Sequence, residues 1–149
     1  GQEAVYFSAW HWSAIHFFTS CPSYQTADAI AAKLSLNKSL VIHCLHLLES
    51  WGLVRGKGKG WAYLSGEFHL DKDSPFVIQH HSNWRARGVL DAQDPKSKGI
   101  HYTNVQTLAR KDLPGLRALA LQFISQCNEL LGPSEAEEQV AITCDVFEL

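Results

Sequence analysis

The stretch "ADAIAAKLSLNKSLVIHCLHLLESWGLVRGKGKG", residues 27–60, decides the fold. Its ending raises a question. Glycine and lysine alternate directly after an apolar helical repeat, with Trp61, Tyr63 and Leu64 immediately behind them. A phosphate-binding loop needs a strand before it, a helix after it and a Ser or Thr beside its lysine. Here the helical repeat comes first and the strand-like "WAYLS" second, and neither Lys57 nor Lys59 has a hydroxyl neighbour. The nucleotide-loop reading fails on these neighbours. A helix, a short turn, a second helix ending in Gly-Leu-Val and a glycine-rich hairpin together read as a winged helix-turn-helix.

The individual signals agree. Thr26 stands at a cap position before "ADAIAAKLSL", and Asp28 lies where a helix dipole favours an anion. A turn through Ser35–Asn37 leads into "KSLVIHCLHLLESW", in which Leu40, Val41, Cys44, Leu45, Leu47, Leu48 and Trp51 share one face. Gly52 ends that helix as a C-terminal glycine does. "LVRGKGKGWAYLS" then reads as two short strands around a turn. Upstream, "EAVYFSAWHWSAIHFFTSC" is apolar all round a helical period, which predicts one helix buried on most sides and stopped at Pro22.

Beyond residue 66 the pattern changes. "HLDKDSP" is a polar connector, and Pro75 can open a helix over "FVIQHHSNWRARGVLDAQ". "IHYTNVQTLA" is rich in β-branched and aromatic residues and predicts a strand. Asp112 is placed to cap "LPGLRALALQFISQCNELL", and "QVAITCDVFEL" predicts a closing strand. The expected architecture is α+β: a winged helix over 1–66 (three helices plus a β-hairpin wing), followed by an α-β-α-β unit over 67–149. The strands around Val105 and Ile142 are expected to pair in one small sheet.

Composition bounds the function. The 149 residues are 46% hydrophobic with five tryptophans, enough for a globular core. No apolar run approaches membrane-spanning length, so no membrane partner is expected. The cysteines at 21, 44, 127 and 144 lack CxxC spacing, which favours reduced, mostly buried thiols in a cytoplasm over a disulfide framework. The lack of methionine, initiator included, is what a processed piece of a longer chain would have. Net charge is −2, but residues 1–66 carry five Lys/Arg against three Asp/Glu (+2), and residues 67–149 carry eight against twelve (−4). Any DNA contact therefore belongs to the first half.

Within that half, Lys38, Arg55, Lys57 and Lys59 are the candidate phosphate contacts, and Ser39, His43 and His46 would face a groove. With Val41, Leu45 and Leu48 inward, the outward face of the second helix is Ser39, Ile42, His43, His46, Glu49 and Ser50. Base reading normally uses Arg, Lys, Asn or Gln, and this face has none after Lys38. The same hairpin and face therefore also suit protein contact or self-association, or a purely structural role. The aromatics Trp10, Trp12, Trp51, Trp61 and Tyr63 suit core packing, with an effector pocket as the other reading. His43 with His46, and His80 with His81, form no metal set, and no catalytic motif is present. No enzyme activity, metal or cofactor is expected.

"YFSAWHWSAIHFF" is similar to the opening of a bacterial family of regulator-like proteins, domain-of-unknown-function family 4423. Tyr6, Phe7, Ser8, Trp10, Ala14 and Ile15 stand at the family's aromatic, aromatic, Ser, Trp, Ala and Ile positions. The likeness runs through the winged-helix segment, the helix carrying His81, and Thr103-Asn104. It ends near Val140 and Phe147. The resemblance implies a transcription-regulator module, usually found after a separate repressor-like helix-turn-helix domain, and it implies no catalytic residues.

Overall fold

The computed structural model describes residues 1–64, 68 and 70–149. Ser65 at the end of the second expected strand, the expected boundary at 66–67, and His69 at the head of the polar connector lie outside the described residues. The described chain is α+β, with six α-helices and one two-stranded antiparallel sheet. It divides into two compact units. One comprises Gly1–Arg87 with Ala136–Ala141, the other Gly88–Glu135 with Ile142–Leu149.

The first unit opens with α1 (Gln2–Tyr6) and α2 (His11–Phe18), where one continuous helix was expected. Ser8 causes the break. Its amide and its hydroxyl both donate to the Val5 carbonyl, which closes α1 before the apolar pattern ends. The break turns Tyr6 and Phe7 into the core, where both are buried.

After a 3-10 turn at Pro22–Tyr24 comes α3 (Ala27–Leu34), capped as expected: the Thr26 hydroxyl accepts the Ala29 amide at 3.1 Å. Ser35 adopts φ 53 and turns the chain toward α4 (Lys38–Ser50), whose cap is the Asn37 carboxamide oxygen. Helix α4 buries Val41, Cys44, Leu45 and Leu48, as its repeat predicts. At its end Gly52 has φ 78. The Leu53 amide donates to the Leu48 carbonyl and the Gly52 amide to that of Glu49, the paired bonds of a glycine-terminated helix.

The hairpin follows as β1 (Val54–Lys57) and β2 (Gly60–Tyr63). Ile15, Ile30, Val41, Leu45, Leu48 and Val54 are almost completely excluded from solvent. Each such side chain contributes about 1.5–3 kcal/mol of burial, so helices and hairpin share one core. Helix α5 (Pro75–Gln93) opens at Pro75 as expected, and its Asn83 donates to the Phe7 carbonyl at 2.9 Å. Residues 136–141 also belong to this unit. Gln139 donates to the Ala14 carbonyl, and Glu138 accepts the Tyr24 hydroxyl.

The second unit departs from the expected α-β-α-β order. It contains the end of α5, a 3-10 turn at Arg110–Asp112 and α6 (Leu113–Leu131), with no strand among its described residues. The expected strands around Val105 and Ile142 do not pair, and neither joins the β1–β2 sheet. β-Branched composition marks a segment that suits a sheet, but a ladder also needs an edge to pair with. Among the described residues neither segment is laddered to a partner strand. Asp112 does occupy the N-cap position of α6, yet its side chain makes no capping bond. Pro114 occupies the first turn instead, where a missing N–H costs nothing.

Candidate nucleic-acid interface

The hairpin is built to project cations. Its register pairs Val54 with Tyr63, Arg55 with Ala62, Gly56 with Trp61 and Lys57 with Gly60. That leaves Gly58–Lys59 as a two-residue turn with Gly58 at φ 60, the glycine-first arrangement that matches strand twist. Arg55, Lys57 and Lys59 are all exposed.

The base of the hairpin is fixed at two points that sequence reasoning missed. The Trp61 amide donates to the Gln25 carbonyl at 2.7 Å, joining β2 to the segment before α3. A Cβ on Gly60 would collide with that same carbonyl, so glycine is required there for close approach rather than for φ. On the other strand, the Glu49 carboxylate accepts the Gly56 amide at 2.8 Å. Only the glycine pattern hinted at either contact.

The other candidates lie on α4 and its cap. Ser39, His43, His46 and Glu49 are exposed, as the helical repeat predicts. Lys38 forms a 2.8 Å ion pair with Asp28. Both the amide and the hydroxyl of Ser39 donate to the Asn37 side chain. The His46 ring stands edge-on to Trp61, with centroids 5.2 Å apart. Hairpin and helix face are thus contiguous, and their junction carries one carboxylate among the cations. Phosphate contact fits the hairpin tip. Base reading fits the helix face poorly, because its amide-free, arginine-free surface offers few bidentate donors.

Beneath the hairpin, His16 is 1% exposed and stacks on Tyr63 at 4.9 Å between centroids, and its Nδ1 lies 2.9 Å from the Tyr6 hydroxyl. Burial lowers its pKa to about 4, offset only in part by backbone groups at Leu53 and Leu64. A neutral imidazole therefore fills this place at neutral pH. Nothing in the sequence separates His16 from its exposed counterparts except its place in an apolar helix.

The aromatics do not form one pocket. Trp12 packs on Trp51 in the core, Trp10 lies beside Trp84 under the Arg87 guanidinium, and Trp61 meets His46. Among the described residues, no group of three His, Cys, Asp or Glu is placed to hold a metal ion. No disulfide joins the four cysteines; only Cys21 and Cys44 are buried, Cys127 being half-buried and Cys144 exposed, and burial pushes the Cys44 thiol up to about 12. No described helix is long and apolar enough to cross a membrane.

The sequence profile of one family, described as domain of unknown function (DUF4423), matches residues 2–149. The chain belongs to the DUF4423 family. Among curated proteins and among solved structures nothing matches it. The DUF4423 match spans both units, so the two expected-strand segments are part of the family's domain and not an appendage to it.

Proposed function

We propose that this DUF4423 chain is a module of a bacterial transcriptional regulator. Its first unit acts as a winged helix that touches duplex DNA through phosphates. The observation that carries the reading is the hairpin tip, where Arg55, Lys57 and Lys59 are exposed together on a strand pair anchored at Gln25 and Glu49. Support comes also from the element order, two helices and a hairpin around one core, with β2 tied back to the segment before α3. Binding is then electrostatic and largely indifferent to sequence, because these side chains supply charge and little base-reading chemistry. Titrating the full chain with random duplex DNA at low ionic strength tests this. Saturable binding that weakens steeply with salt supports it.

A second reading, protein contact through the same surface, draws on Glu49. A carboxylate at the junction of helix and hairpin repels phosphate, and the remaining face (Ser39, Ile42, His46) suits a protein surface. Absence of any salt-dependent DNA binding in that titration would favour it.

A further inference from the structure

The chain returns to its first unit late. Residues 136–141 reach α2, α3 and the 3-10 turn between them, although Glu135 and Ile142 on either side belong to the second unit. Among the described residues, no backbone–backbone hydrogen bond holds this strap. Side chains hold it instead. Gln139 donates to the Ala14 carbonyl at 3.0 Å, and the Glu138 carboxylate takes the Tyr24 hydroxyl between its two oxygens, at 3.0 and 3.1 Å. The Lys33 ammonium stands 3.7 Å from the same carboxylate and 5.5 Å from the centre of the Tyr24 ring.

Tyr24 is aimed by the core rather than by the strap. It is half-buried, and its ring packs on Phe18 with centroids 4.7 Å apart. Lys33 reaches the same spot from the last turn of α3. A fixed hydroxyl beside an ammonium is a donor pair for one anionic group, and carboxylate and phosphate oxygens both satisfy it. The pair also adjoins the hairpin. Gln25, the residue after Tyr24, accepts the Trp61 amide at 2.7 Å, and Gly60, the residue after Lys59, packs against that same carbonyl. The present occupant is loosely held. The Lys33 and Glu138 side chains are 46% and 62% exposed, and an exposed ion pair is weak enough for another anion to displace.

We infer that Tyr24 and Lys33 form a phosphate-contact site of the first unit, and that Glu138 occupies it as an internal competitor. While the strap is seated the site is closed, and the hairpin meets duplex DNA alone. When a phosphate displaces the Glu138 carboxylate, the site adds one contact to those of the hairpin. DNA as the source of that phosphate rests on the hairpin reading; the anion site itself does not.

Inorganic pyrophosphate tests the site without DNA. It is titrated into the full chain and followed by the NMR shifts of the Tyr24 ring and the Lys33 ε-methylene. Glu138→Ala is expected to bind it about fivefold more tightly than wild type, the factor by which loss of the competitor frees the site. The His16 and Tyr63 ring resonances report that the first unit stays folded, and Glu138→Gln, which keeps an acceptor for Tyr24, serves if the alanine variant does not fold. Glu137→Ala removes the same charge from an exposed neighbour and is expected to titrate as wild type does. Equal binding by wild type and Glu138→Ala, or an equal gain in Glu137→Ala, overturns the inference.

Random duplex DNA gives the second arm. Glu138→Ala is expected to steepen the slope of log affinity against log salt by about one unit, and the double variant K33A/E138A to restore it. An unchanged slope in Glu138→Ala, with wild type binding, overturns the competitor role and leaves the hairpin reading standing. No DNA binding by any of these proteins, with the pyrophosphate gain intact, overturns the hairpin reading and leaves the anion site standing.

Discussion

Glu49, in the last turn of α4, accepts the Gly56 amide in β1 at 2.8 Å, so one carboxylate both braces the hairpin and sits beside its cations. The two roles can be separated. Glu49→Gln keeps an acceptor oxygen for the amide and removes the charge. We expect stability within about 0.5 kcal/mol of wild type and several-fold tighter DNA binding at low salt. Glu49→Ala removes the bond as well and should cost about 1 kcal/mol in a urea titration. Unchanged DNA binding in Glu49→Gln would show that the hairpin junction lies away from any phosphate.

Gly60 and Gly58 look alike in sequence and differ in what they do. At Gly60 a methyl group meets the Gln25 carbonyl, so Gly60→Ala must break the Trp61–Gln25 bond or shift the strand. The expected loss is about 2–3 kcal/mol. Gly58→Ala meets open space and bears only the strain of φ 60, about 1 kcal/mol. Thermal melts of the two variants check the order; a reversed order contradicts the close approach.

His16 makes stability depend on pH in a defined direction. Its folded pKa of about 4 lies below the ordinary 6.5, so the unfolded chain binds the extra proton between those values. The contribution is fully present above pH 6.5 and is lost as pH falls toward 4, up to about 3 kcal/mol. Urea denaturation across this window should therefore lose midpoint steadily on acidification. His16→Asn, which keeps a partner for the Tyr6 hydroxyl, should flatten the curve. A wild-type curve no steeper than the variant's would contradict the burial argument.

Much of the first unit was legible in the sequence because its signals are local. The Thr26 cap, the Val41-Leu45-Leu48 face, the Gly52 terminus and the hairpin turn each rest on residues a few positions apart. The Ser8 break was missed because a uniformly apolar pattern fits one helix or two, and only a side-chain bond to Val5 decides. The hairpin's anchors at Gln25 and Glu49 depend on distant contacts, which spacing does not encode. The failure at Val105 and Ile142 is of another kind. Their composition suits a strand, but whether a strand forms depends on pairing along an edge, and among the described residues neither segment is paired.

The most direct test of the proposed function compares salt dependence in wild type and in the triple variant R55A/K57A/K59A. The slope of log affinity against log salt on random duplex DNA should flatten by about one unit for each phosphate that is no longer neutralised, up to about three. The variant should weaken binding to unrelated sequences equally and should keep the wild-type fold, since Arg55, Lys57 and Lys59 are exposed while Trp61 and Leu53 pack beneath them. Equal slopes in the two proteins, or no salt-dependent binding by the wild-type chain, would contradict a DNA-contacting hairpin.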